Sequence, residues 1–175
     1  MIKYFNLADY KELGRLRENN QILPENDEKL SNYVVSVSNQ VRYNRKIDYI
    51  SLLNKYLEKK ILPDEFRLKF LEVDKQDSEK TRIFLADSQK LENLVIFDES
   101  EKFGHFVCDI STLCIEFDIL LSDYDRMSES EFYFLVKNYS SEFLQEQLVY
   151  RSFKSLIFAL GLAVLLLPNI FEIKT

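Results

Sequence analysis

The side chains best suited to chemistry in this sequence are one histidine, two cysteines and a crowd of carboxylates. His105 has no serine or cysteine nucleophile at a recognisable spacing. A single histidine also cannot build a multi-histidine metal site, so it reads as a surface or hydrogen-bonded residue. Cys108 and Cys114 form a C-x5-C pair on a segment with helical periodicity. On a helix they stand about 9 Å apart along the axis and on different faces, too far for a disulfide. No second Cys/His pair completes a zinc site. Both are expected to be buried free thiols in a reducing compartment, the cytoplasm or an organelle interior. Asp123-x-Asp125 opens like a calcium loop but lacks the glycine and bidentate glutamate that an EF-hand requires. Glu116 and Asp118 could pair for acid–base work, yet nothing around them marks a cleft. Three isolated glycines make neither a phosphate loop nor a dinucleotide fingerprint. The expectation is a non-catalytic protein without metal or cofactor.

What remains is charge. The chain carries a formal charge of −6, unevenly spread. Residues 1–60 hold 8 acids and 11 bases, residues 61–131 hold 18 acids and 8 bases, and residues 132–175 hold 3 acids and 4 bases. Phosphate binding needs clustered Lys and Arg, so direct nucleic-acid binding by the acidic middle is disfavoured. A cationic protein is the natural complement of such a field. The simpler account of the acids between Asp98 and Glu131 is a solvated face. The candidate partner-binding residues are Asp98, Glu99, Asp109, Glu116, Asp118, Asp123 and Asp125.

The elements that must carry these groups are helical. The 46% hydrophobic content over 175 residues allows one domain with a real core. Three glycines and three prolines are too few for the many turns of an all-β fold. Leu7, Tyr10, Leu13 and Leu16 mark a helix over Leu7–Glu18, with Asn19-Asn20 as its stop and Pro24 as a breaker. Lys29–Tyr43 allows either a helix or a strand. Ile47, Ile50, Leu53, Tyr56 and Leu57 make an apolar stripe. After the turn Ile61-Leu62-Pro63 a new helix opens, with Asp64 and Glu65 in its first turn and Phe66, Phe70 and Leu71 on its face. That face ends near Val73, so Asp74–Lys80 reads as a linker or a helix start. Counted from Arg45, Ile83–Phe97 reads as a third helix broken near Asp87-Ser88, and Phe103–Leu121 as a fourth. Ser122–Met127 is a polar loop. Ser128-x-x-Glu131 is a capping box opening a last amphipathic stripe from Phe132 to Leu144. The expected fold is all-α: an antiparallel helical bundle of about five or six helices, with any β structure before Arg45. The organisation is an N-terminal extension (1–44), an acidic bundle (45–150) and an apolar C-terminal helix (151–175). Ile22-Leu23-Pro24-Glu25 echoes Ile61-Leu62-Pro63-Asp64, as two similar helix–turn junctions would.

Two ends stand apart. Met1–Leu7 is too short and too polar for the apolar core of a secretory signal. Leu156–Phe171 contains no charge and is interrupted by Pro168 and Asn169. An unbroken helix there spans about 20 Å, against about 30 Å of hydrocarbon. It reads either as a helix packed on the protein's own bundle or as a membrane-associating tail.

Two stretches resemble the colicin D immunity-like family of bacterial self-protection proteins. The first is Ile50–Val73, in which one helix ends in a short turn and the next opens with Asp64, Glu65 and Phe66. The second is Phe106–Leu144, with an apolar helix, the acidic loop Asp123-Tyr124-Asp125-Arg126, and Ser128-x-x-Glu131. The resemblance covers about residues 50–144. It implies a compact antiparallel helical bundle whose acidic surface covers the active site of a basic toxin nuclease in place of RNA phosphates. The alternative is a structural or assembly subunit of a membrane-associated complex, docked through Leu156–Phe171.

Overall fold

A computed structural model describes residues 2–118, 127–141, 143 and 144. The chain divides into two compact units, Met1–Tyr139 and Ser140–Thr175. In the second, the described residues 140, 141, 143 and 144 are helical. The uncharged run Leu156–Phe171 and the loop acids Asp123 and Asp125 lie outside the described residues.

The first unit is a helical bundle. Its order is β1 (Ile2–Tyr4), α1 (Leu7–Glu18), α2 (Pro24–Asn44), α3 (Lys46–Leu57), α4 (Pro63–Ala86), α5 (Ser88–Glu92), β2 (Val95–Phe97) and α6 (Asp98–Asp118). A further helix, α7, starts at residue 129. α6 lies against α2 and α4, α2 also packs on α4, and α3 packs on α4. The segment before Arg45 is therefore no extension: α2 is central, and its Val37 and Val41 are buried with Phe5, Leu91 and Leu94.

Local chemistry sets the boundaries. Asn6 caps α1 by accepting a 3.1 Å hydrogen bond from the Asp9 N–H. α1 and α3 end alike. Asn20 and Lys59 both take left-handed φ, 54° and 57°. The N–H groups of Gln21 and Lys60 then reach back five residues to the carbonyls of Leu16 and Lys55, each at 2.8 Å. These are Schellman closures. Each is followed by Ile-Leu-Pro, with the leucine at the N-cap and the proline at the first helical position of α2 or α4. The two echoing sequences are one junction geometry used twice.

Two expectations need correction. β2 pairs antiparallel with β1, Lys3 opposite Ile96, so strand structure is not confined to the region before Arg45. Its three consecutive apolar residues, Val95-Ile96-Phe97, are too few to distinguish from helix by periodicity. The polar run Asp74–Lys80 is neither linker nor helix start but the middle of α4, which continues to Ala86. The break comes at Asp87, whose carboxylate accepts from the Gln89 and Lys90 N–H groups and caps α5.

Aromatic rings bind the bundle together. Tyr56 of α3 stacks on Phe66 of α4 at 4.4 Å between centroids, and Phe117 of α6 stacks on Phe132 of α7 at the same distance. Tyr49 meets Phe70 and Phe103 edge-on. Fully burying one such ring contributes about 1.5–3 kcal/mol, so this cluster is a large share of a typical net stability of about 5–15 kcal/mol.

Candidate partner-binding face

α6 presents two contrasting sides. Phe103, Phe106, Val107, Ile110, Cys114 and Phe117 are buried. Turned outward are Glu101, His105, Asp109, Thr112 and Glu116, all exposed. Steps of three or four residues keep them on one stripe.

The side chains that seat α6 are polar and lie beneath it. Arg42 Nε donates to Asp74 Oδ1 at 2.8 Å, and Ser111 Oγ of α6 donates to Asp74 Oδ2 at 2.9 Å. Arg42 Nη1 also reaches Cys108 Sγ at 3.2 Å. Next to this, Arg45 Nη1 and Tyr49 Oη donate to the two oxygens of Asp77, at 3.0 and 2.9 Å. Arg42 and Arg45, three apart, thus meet Asp74 and Asp77, three apart. Burial opposes the charge on Arg42, but Asp74 and Cys108 hold its pKa above the ordinary arginine value. Burial, aided by the charges of Asp77 and Asp74, drives the Tyr49 hydroxyl far above its usual range. With both guanidinium groups engaged by carboxylates, this cluster fixes helices and offers no free acid–base pair.

Cys108 and Cys114 are both free, but only Cys114 is buried. Cys108 is exposed, contrary to the expectation that both would be interior, because α6 rotates it to the edge beside Arg42. Burial pushes the Cys114 thiol up to about 12.

Among the sequence-selected acids, Asp98 and Glu99 stand in the first turn of α6, where the helix dipole favours them. Glu99 is exposed and Asp98 half-buried. Asp109 and Glu116 are exposed two turns apart. Asp118 is the last residue of α6. The structure therefore brings Asp109 and Glu116 onto one stripe with Glu101, a residue that the sequence-based selection omitted. The spacing 101, 105, 109, 112, 116 was the available signal.

Charge pairing separates α6 from α4. On α4, Glu65 pairs with Lys69 and Glu79 with Arg82, at 2.7 and 2.6 Å within the same helix. α6 has six acids and a single lysine, Lys102. Among the described residues Glu99, Glu101, Asp109 and Glu116 make no ion pair. Ile115, 52% exposed, adds an apolar contact beside them.

The fold is an all-α bundle, and among the described residues Glu99, Glu101, Asp109 and Glu116 of α6 make no ion pair. No protein-family model, curated protein or solved structure matches the chain. Among the described residues no group of three or more His, Cys, Asp and Glu is placed to hold a metal ion, and no helix is long and apolar enough to cross a membrane.

Proposed function

We propose that this protein is a non-catalytic, immunity-type inhibitor that binds a basic protein, a cationic toxin nuclease domain, through the outward face of α6. The observation that carries the reading is the contrast in pairing. Asp64, Glu65, Asp77 and Glu79 on α4 each have a base one turn away, whereas among the described residues Glu99, Glu101, Asp109 and Glu116 on α6 make no ion pair. Unneutralised carboxylates on a rigid helix accelerate and orient the approach of a cationic surface. The resemblance over about residues 50–144 supplies the kind of partner.

The test uses the full chain and a variant carrying Glu99→Gln, Glu101→Gln, Asp109→Asn and Glu116→Gln as paired baits. A basic nuclease retained by the first, lost from the second and inhibited on binding supports the proposal. Equal retention by both baits refutes the α6 face. The alternative, a membrane-associated assembly subunit, rests on the uncharged run Leu156–Phe171 alone. Sedimentation with membranes, reversed only by detergent, would favour it.

A further inference from the structure

At the corner where β2 turns into α6 there is a cleft of about 320 Å³, flanked by α2. Asn32, Ser36 and Asn39 of α2 form one wall, Ile96 and Phe97 contribute apolar surface, and Glu101 stands at the α6 side. Asp98 and Ser100 complete that side. This is the small end of the ~300–1,000 Å³ range of ligand pockets, sized for a single long side chain rather than for a helix.

The local polar groups are mostly committed. The Phe97 N–H donates to Gln40 Oε1 at 2.9 Å, and Ser100 Oγ donates to the Phe97 carbonyl at 2.6 Å. Ser36 Oγ donates to the Tyr33 carbonyl at 2.8 Å. Three groups are left over, the exposed Asn32 among them. The Asn39 amide, only 4% exposed, makes no hydrogen bond among the described residues. Glu101 makes no ion pair. The Asn39 polar atoms are not among the fully enclosed groups without a partner, so they are open to a group arriving through the cleft. Gly104 maintains the arrangement: a Cβ there would come 1.9 Å from Asn39 Oδ1, so only glycine leaves the amide its place.

We infer that this cleft is the seat of an arginine side chain from the basic partner. The inference rests on the proposed function, because Glu101 belongs both to the cleft and to the acidic stripe. A guanidinium offers five donors in a plane and no acceptor. It meets the Glu101 carboxylate and the Asn39 amide oxygen, while its planar face and aliphatic stem lie along Phe97 and Ile96. Lysine carries the same charge but is a strongly hydrated point without the flat face or the fork of donors. The cleft therefore adds selectivity for arginine to a face that otherwise reads only charge.

The probes are capped tri-arginine and tri-lysine peptides, titrated into the isotope-labelled full chain and followed by NMR. Tri-arginine is expected to shift the Asn39 side-chain amide and the Ile96 and Phe97 amides saturably, and to bind about threefold or more tighter than tri-lysine. Glu101→Gln and Asn39→Ala should each remove that preference. Asn39→Ala truncates a buried side chain packed on Gly104, whereas Glu101→Gln alters only an exposed one, so a cooperative melt for the second keeps the test valid. Equal affinities, with shifts restricted to residues 105–116, would overturn the cleft while leaving the α6 face intact. No shift with either peptide on α6 or in the cleft would overturn both.

Discussion

Arg42 and Asp74, 32 residues apart in sequence, meet at 2.8 Å with side chains only 13% and 16% exposed, and Ser111 completes the carboxylate from α6. Three helices are tied at that point, and the Arg45–Asp77 pair repeats the arrangement one turn along. Buried pairs of this kind add little net stability over a well-packed apolar core, but removing one partner strands the other.

Asp77→Ala should therefore be severely destabilising, by roughly 3–5 kcal/mol, since it deprives Arg45 and the buried Tyr49 hydroxyl together. Asp77→Asn retains the shape and should lose less. Urea denaturation of the two variants gives the ranking. A loss below about 1 kcal/mol for Asp77→Ala would show that the pair is not structural.

Gly104→Ala tests the contact between α2 and α6. A Cβ would lie 1.9 Å from Asn39 Oδ1 and 2.8 Å from its Cβ, so the clash extends beyond the tip of the side chain. We expect a loss of about 1–3 kcal/mol, typical of overpacking. Combining it with Asn39→Ala should restore most of that loss, a coupling that a double-mutant cycle would measure.

High pH should weaken the fold. Burial raises Cys114 from 9.0 to about 12. Burial, then the hydrogen bond to Asp9, raises Tyr33 from 10.0 to about 12, and burial also raises Tyr49 and Tyr56. In each case the folded pKa lies above the unfolded one. The stabilisation is complete below the unfolded value and is lost as pH climbs through the folded value. Urea midpoints should hold up to about pH 9 and decline from there to about 12. A constant midpoint across that window would contradict the burial of these groups.

The two thiols should react at very different rates. In the native protein a thiol reagent is expected to titrate the exposed Cys108 first and Cys114 only on unfolding. Equal rates would place Cys114 at the surface.

Much of the fold was legible because its signals are local. Leu7–Glu18 was bounded by its apolar spacing and by Asn19-Asn20. Pro63 with Asp64 and Glu65 marked the start of α4. Ser128 does accept the Glu131 N–H, at 3.2 Å. The failures are non-local. Asp74–Lys80 looks like a linker because its inward acids are satisfied by Arg42 and Arg45, more than thirty residues away, and no window of periodicity contains both halves. β2 is three residues long and depends on β1 at the far end of the chain. The acidic stripe was half visible: Asp109 and Glu116 were recognised as acids, but which side of α6 faces outward became clear only from packing. Glu101 lies ahead of the helix expected from Phe103, whereas α6 begins at Asp98.

The association rate of the captured basic partner, measured against ionic strength for the wild type and for the Glu99→Gln, Glu101→Gln, Asp109→Asn, Glu116→Gln variant, tests the central claim most directly. Each site is an exposed carboxylate without an ion pair, so folding stability should change little. The proposal predicts a wild-type rate that falls steeply with salt and a variant rate that is slower and nearly flat, the two converging at high salt. Superimposable salt dependences for the two proteins would contradict it.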